Sequence, residues 1–314
     1  METKTAAGLR THRATTTGTE AHSSSGVFQV TRIDRALLSA LQPGEAQTPP
    51  RLAAAVRHAL LAGGGRLRPK LCLAVATACG DPEPDLADAA AAAVEMMHCA
   101  SLVHDDLPCF DDADTRRGQP TVHRVYGESI AVLTGDHLIV LAFEHIARVA
   151  ADAPRKLPQL VSLLARGVGA PHGLIAGQAW ESEPRIDATL YRRAKTGALF
   201  EAASALGAVS AGASSSAWAQ VGARVGEAYQ VADDILDVAG DPTRAGKPVG
   251  QDATHGRPNA VHDLGLEEAC RLFERLLRDA GDAIPPCADP EPVRAWLREA
   301  ERRAMSGILT RIAA

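Results

Sequence analysis

Aromatic residues are scarce in this 314-residue chain, with only three Trp, three Tyr and five Phe. Together with abundant alanine, that scarcity argues against a sheet-rich fold and for packed helices. No excess of positive charge is present: 33 Lys and Arg face 38 Asp and Glu, a formal net charge of -5. The overall basic footprint of a nucleic-acid binder is therefore missing, and any anionic substrate must meet local positive charge. The six cysteines lack metal-site or disulfide-framework spacing and read as reduced thiols of a cytoplasmic protein. No uninterrupted apolar run reaches the roughly 20 residues that span a bilayer, so no transmembrane segment is expected. The stretch from Leu133 to Phe143 is broken by Asp136 and reads as a buried helix. An apolar h-region is absent, which excludes a secretory signal, and Glu2 and Glu20 count against a transit peptide. Residues 1–26, rich in Thr, Ser, Ala and Gly, read as a disordered tail, leaving 27–314 as a single domain large enough to bury a substantial core. There is no solenoid-type repeat.

What is present is acid, in two clusters. Five aspartates, Asp105, Asp106, Asp111, Asp112 and Asp114, stand within ten positions, with Arg116 and Arg117 directly after. Such a cluster is costly unless positive charge sits among it. The Ala-rich stretch from Asp85 to Val103 suits one long helix with Asp85 as N-cap, and Pro108 should stop it near Leu107. Positions seven apart on a helix lie within about 20° of each other, so His98, Ser101 and Asp105 share a stripe. Asp105 and Asp106 then stand at the helix end, and the Pro-Cys loop swings Asp111 and Asp112 back toward them. The second cluster is Asp233-Asp234-x-x-Asp237, whose outer members are i,i+4 on one helix face, with Gly240 as the stop. Oxygen-only ligands are what Mg²⁺ accepts, usually beside substrate phosphates. Two clusters on two helix ends suit several Mg²⁺ ions with a diphosphate between them. A solvated acidic loop is the alternative reading of the first cluster alone.

Asp105-Asp106-x-x-x-x-Asp111 followed by Arg116-Arg117-Gly118, and Asp233-Asp234-x-x-Asp237, resemble the two aspartate-rich motifs of the trans-prenyl diphosphate synthases. The similarity runs from about Leu61 to Asn259, in the family's order, and is nearest to the geranylgeranyl diphosphate synthases of bacterial carotenoid pathways. It implies an all-α fold, a single large helical bundle around a deep central cavity, and a homodimer. It also implies Mg²⁺-dependent condensation of isopentenyl diphosphate with an allylic diphosphate (dimethylallyl, geranyl or farnesyl). Catalysis is assigned by the resemblance to Asp105, Asp106, Asp111, Asp233, Asp234, Asp237, Lys195 and Lys247. Metal binding falls to Asp105, Asp111, Asp233 and Asp237.

The remaining motifs carry substrate. In Gly63-Gly-Gly-Arg-Leu-Arg-Pro69 a glycine run lets backbone approach a phosphate while Arg66 and Arg68 grip it. On residues alone a flexible turn with solvated arginines is the alternative reading. The resemblance makes this loop the isopentenyl diphosphate site, joined by His98 and Arg117, with Gly65 where the family carries lysine. Arg116 is given to the allylic diphosphate. Lys195-Thr196 opens the next helix, where charge, hydroxyl and dipole together suit a phosphate; the resemblance places Lys195, Thr196, Gln230 and Lys247 along the allylic substrate. In Gly177-Gln178-x-x-Glu181, a glutamate replaces the commoner aspartate and reads as a pocket wall rather than a ligand. Ala100 and Ser101, both small, lie one turn below Asp105 and leave the product shaft open beyond C15, so a C20 product is expected. A farnesyl diphosphate synthase is the runner-up. A class I terpene cyclase or an inactive partner subunit is disfavoured by the intact second aspartate motif.

Overall fold

The computed structural model describes residues 32–239 and 259–312. The tail at 1–26, Gly240, Lys247 and Arg257 lie outside the described residues. Within them the chain is helical apart from one two-stranded ladder, in accord with the all-α expectation. The order is α1 (32–41), α2 (Pro50–Leu61), α3 (Leu67–Ala78), α4 (Pro84–Asp105), β1 (Thr115–Arg116), β2 (Gln119–Pro120), α5 (Val122–Tyr126), α6 (Glu128–Val149), α7 (Leu157–Val168) and α8 (Leu174–Trp180). There follow α9 (Ala188–Arg192), a π-helical turn (Arg193–Gly197), α10 (Ala198–Ser210), α11 (Ser215–Ala239), α12 (Ala260–Leu264), α13 (Leu266–Asp282) and α14 (Glu291–Ile312).

Three expectations need correction. Asp85 is not the N-cap of α4; Glu83 holds that position without a side-chain bond, and Asp85 sits in the first turn, where its charge favours the helix N-terminus. The stretch from Thr121 to Ala150, which reads as one helix in the sequence, is two, because Gly127 takes φ 88° between α5 and α6. Lys195 and Thr196 do not open a helix. They lie in the π-helical turn that joins α9 to α10 without a break, so no helix dipole aims at them.

α10 is the central post. Every residue from Ala198 to Ser210 except Glu201 is buried, and the helix packs on α3, α4, α7 and α11. Its small residues allow backbone-close crossings. A Cβ on Gly207 would collide with the carbonyl of Cys72 in α3, and one on Gly222 of α11 with the carbonyl of Phe200. One apolar core lies between α1, α4, α6, α7 and α10, and a second between α3, α10, α11, α13 and α14. Phe200 is fully buried in the second, against Tyr229 and Trp296; truncating it to alanine would cost about 3–5 kcal/mol. By length and composition α4 and α6 could each cross a membrane, despite the absence of an uninterrupted apolar run. In α4, however, 78% of the most apolar window is buried inside the bundle.

Candidate active site

Between α4, α6, α8, the π-helical turn and α11 lies a cavity of about 1010 Å³. Its acidic end is closed by the α4 C-terminus and the loop that follows. Pro108 ends the helix, and the chain turns back so that the Asp111 amide donates to the Asp105 carbonyl at 3.0 Å. That bond brings Asp111 over Asp105, as the loop spacing predicts. Asp112, expected to turn back with it, also lines the cavity and pairs with Arg124 at 3.2 Å. Carboxylate oxygens of Asp105, Asp111 and Glu181 lie within 4.8 Å of one another. Glu181 is therefore part of the acidic cluster and not merely a wall. It accepts from Tyr191 Oη at 2.7 Å and is paired with Lys195 Nζ. Burial holds the Asp105 carboxyl above the ordinary carboxylate range, with Lys195, 3.9 Å away, opposing.

The π-helical turn has a direct effect here. It places Lys195 toward Asp105 and Glu181 while Thr196 Oγ1 donates to Gln230 Oε1 at 2.7 Å. Gln230 Nε2 in turn donates to Asp234 Oδ1 at 2.8 Å. Asp234 Oδ2 takes the Ala260 amide at 2.7 Å and Arg192 at 3.2 Å. Asp234, expected among the catalytic aspartates, also ties α11 to the π-helical turn and α12. Asp233, Asp234 and Asp237 all line the cavity.

Asp106 is likewise bound to protein. It is 4% exposed, does not line the cavity, and takes Arg116 Nε at 2.8 Å as well as Arg116 Nη2. Burial raises its pKa and the Arg116 ion pair opposes the rise. Arg116 is thereby held at the cavity surface. The hairpin explains why adjacent arginines part company. Arg116 pairs with Gln119 in the ladder, while Arg117 (φ 55°) and Gly118 (φ 75°) form its two-residue turn, both left-handed. Arg117 accordingly turns to the glycine loop and donates to the Gly63 carbonyl at 2.6 Å, with its charge still felt at His98.

Arg66 and Arg68, expected to act together, are separated. Arg66 is 6% exposed, ion-paired with Glu95 at 2.6 Å, and donates to the Leu60 carbonyl, so it faces the core. Its left-handed backbone, φ 49°, turns the side chain inward ahead of α3. Arg68 lies over the Phe200 ring, 4.4 Å from the centroid, with Nη1 3.4 Å from His98 Nε2. Burial first, and then the charges of Arg68 and Arg117, hold the His98 pKa well below its usual value, so the imidazole is neutral. Arg68 and His98 both line the cavity. Below Asp105 the wall is Ser101, Ala100 and Met97, with the Ser101 hydroxyl bonded to the His98 carbonyl at 2.8 Å.

The donor set fits Mg²⁺. Asp105 Oδ1 is buried without a hydrogen-bond partner, and the neighbouring ligands are hard carboxylate oxygens. A buried charged oxygen in that state is stabilised by a cation.

The polyprenyl synthetase family model matches residues 49–282. A geranylgeranyl diphosphate synthase of Cereibacter sphaeroides is 53% identical, over 87% of this chain and 93% of its own length. One from Rhodobacter capsulatus is 48% identical, over 82% and 89%. Among solved structures, a geranyltransferase from Helicobacter pylori complexed with magnesium and isoprenyl diphosphate superposes with TM-score 0.72 at 29% identity, covering 94% of this chain and 99% of that one. An FPP/GFPP synthase from Zymomonas mobilis gives 0.74 at 29% identity, covering 88% and 99%.

Proposed function

The chain belongs to the polyprenyl synthetase family and is a prenyltransferase, and we propose that it joins isopentenyl diphosphate head-to-tail to an allylic diphosphate, giving geranylgeranyl diphosphate (C20). The observation that carries this reading is one deep cavity with both acidic clusters at one end, cations beside them and small side chains below.

Asp105, Asp111 and Glu181 on one side, and Asp233 and Asp237 on the other, would hold Mg²⁺. When bound, the metal neutralises diphosphate oxygens and draws charge from the breaking bond. Arg116 and Lys195 stabilise the negative charge that grows on the leaving diphosphate, and Thr196 and Gln230 orient it. The allylic C–O bond breaks with its electron pair going to the diphosphate. The isopentenyl double bond attacks the allylic carbon to form the new C–C bond. A proton then leaves the isopentenyl unit to restore a double bond, and the departing diphosphate accepts it. Arg68 and Arg117, with neutral His98, hold the isopentenyl diphosphate. The apolar wall of the cavity keeps water from the cation.

Product length follows from the wall beneath Asp105. Ser101 is about 6 Å down the helix, and neither it nor Ala100 fills the shaft. The reading extends to a homodimer, supported by the apolar face that α6 leaves exposed at Leu133 and Val140. It extends also to a reducing cytoplasm, supported by six unpaired cysteines, and to a product used in carotenoid and other isoprenoid synthesis. The test is incubation with labelled isopentenyl diphosphate and farnesyl diphosphate, sorting products by chain length. A C20 product is expected, shortened to C15 by Ala100→Tyr or Ser101→Phe. Failure to extend farnesyl diphosphate defeats the C20 assignment.

A further inference from the structure

The loop Gly63-Gly64-Gly65 carries no side chains, yet guanidinium groups hold it from two sides. Arg117 Nη1 donates to the Gly63 carbonyl at 2.6 Å, and a Cβ on Gly64 would stand 2.6 Å from Arg117 Cζ. At the other end Arg303, from α14, donates through Nη1 to the Gly65 carbonyl at 3.1 Å. A Cβ on Gly65 would lie 3.4 Å from that same Nη1 and 3.3 Å from Leu67. A side chain at position 65 would thus begin where the Arg303 guanidinium ends.

The reach of Arg303 is built into the fold. Seven residues earlier on the same face of α14, Trp296 is buried and donates through Nε1 to the Leu67 carbonyl at 3.2 Å. Ala300 and Ala304 are buried beside it. This seam fixes the register of α14 against the start of α3, so Arg303 is delivered to the loop. The charge it brings is felt on the cavity side. Burial pushes the Tyr229 hydroxyl up to about 12, Asp233 adds to the rise, and Arg68 and Arg303 both oppose it. Burial and then Arg303 also lower the pKa of the Lys70 ammonium. Positive groups from α3, α14 and the hairpin therefore converge on one glycine loop, with Glu95 3.9 Å from Arg117 on its inner side. The neighbouring Glu299, 2.6 Å from Arg302, acts on Lys70 in the opposite sense to Arg303.

We propose that Arg303 is a substrate-binding residue of the isopentenyl diphosphate half-site and supplies from the last helix the positive charge that Gly65 cannot. The proposal rests on reading Arg68, His98 and Arg117 as that half-site. An arginine is suited to the task because its planar fork can hold a carbonyl with one edge and a phosphate with the other. The side chain is exposed and its backbone helical, so substitution leaves the packed seam at Trp296 intact.

The test is a split of Michaelis constants. Arg303→Met is expected to raise KM for isopentenyl diphosphate about tenfold, ~1.4 kcal/mol, while KM for farnesyl diphosphate stays within about twofold. Arg303→Lys should fall between. Adding Gly65→Lys to Arg303→Met should bring KM for isopentenyl diphosphate back toward wild type, since Gly65 does not have a left-handed φ and the methionine frees the space a lysine needs. An unchanged KM for isopentenyl diphosphate in Arg303→Met overturns the proposal, as does an equal rise in both constants, the mark of a merely structural contact. Calorimetric binding of isopentenyl diphosphate alone to wild type and Arg303→Met reads the same question without turnover. It separates this residue's role from the assignment of the reaction: weaker binding to the variant supports the proposal and equal binding refutes it.

Discussion

The first acidic cluster hangs on a helix end and the loop beyond it, whereas the second is written along a little more than one turn of an unbroken helix. In the first, Asp111 reaches Asp105 only because its amide is tied to the Asp105 carbonyl, and Glu181 joins from a distant helix. In the second, helical spacing alone puts Asp233 and Asp237 on one face. Yet both clusters divide their labour alike. Neighbours on a helix point about 100° apart, so two consecutive aspartates meet different partners. One of each pair binds protein: Asp106 holds Arg116, and Asp234, which also lines the cavity, holds Gln230, Arg192 and the start of α12. A doubled aspartate thus carries at least one fastening.

That division is open to direct tests. Asp105→Ala and Asp233→Ala should each lower kcat by about 10³ or more, ~4 kcal/mol of transition-state stabilisation, with little change in Tm. Near-wild-type turnover of either variant at saturating Mg²⁺ would remove it from the chemistry. Asp234→Ala should instead cost about 3 kcal/mol of folding free energy in urea, because a buried ion pair loses one partner. A loss well under 1 kcal/mol would mean that Asp234 is not a fastening. Asp106→Asn is expected to loosen Arg116 and raise KM for the allylic diphosphate by about fivefold, ~1 kcal/mol, leaving KM for isopentenyl diphosphate alone. Equal movement of both constants would dissolve the distinction between Arg116 and Arg117. The smallest effect concerns pH. The folded Asp105 carboxyl has a raised pKa, so its contribution favours the fold below the ordinary value of about 3.9 and is lost as pH rises through the raised one. Without divalent cations, Asp105→Asn should therefore be more heat-stable than wild type at pH 7 and lose that advantage below about pH 4. A constant difference in Tm across pH would show that burial does not strain this carboxylate.

Legibility in the sequence tracked how local each feature is. The end of α4 follows from Pro108, and the face shared by Asp233 and Asp237 from helical period. The helical class follows from composition. Glu181 was visible as part of a motif, but its meeting with Asp105 depends on the packing of α8 against the π-helical turn. The placement of Lys195 failed because a five-residue turn inside a continuous helix leaves no capping or glycine signal that differs from an ordinary start. Arg66 groups with Arg68 in the sequence because pattern alone does not reveal a left-handed residue turning its side chain toward Glu95.

The contact between Gly65 and Arg303 also has a consequence in time. The two are 238 positions apart. A ribosome adding roughly 5–20 residues per second needs about 12–50 s to travel that far. For most of that interval the glycine loop, α3 and α4 have been made, while α14 has not. The glycine loop, near the beginning of the described chain, is therefore held from both sides only after α14 has been made. A nascent chain can assemble the Asp105 end of the cavity before then.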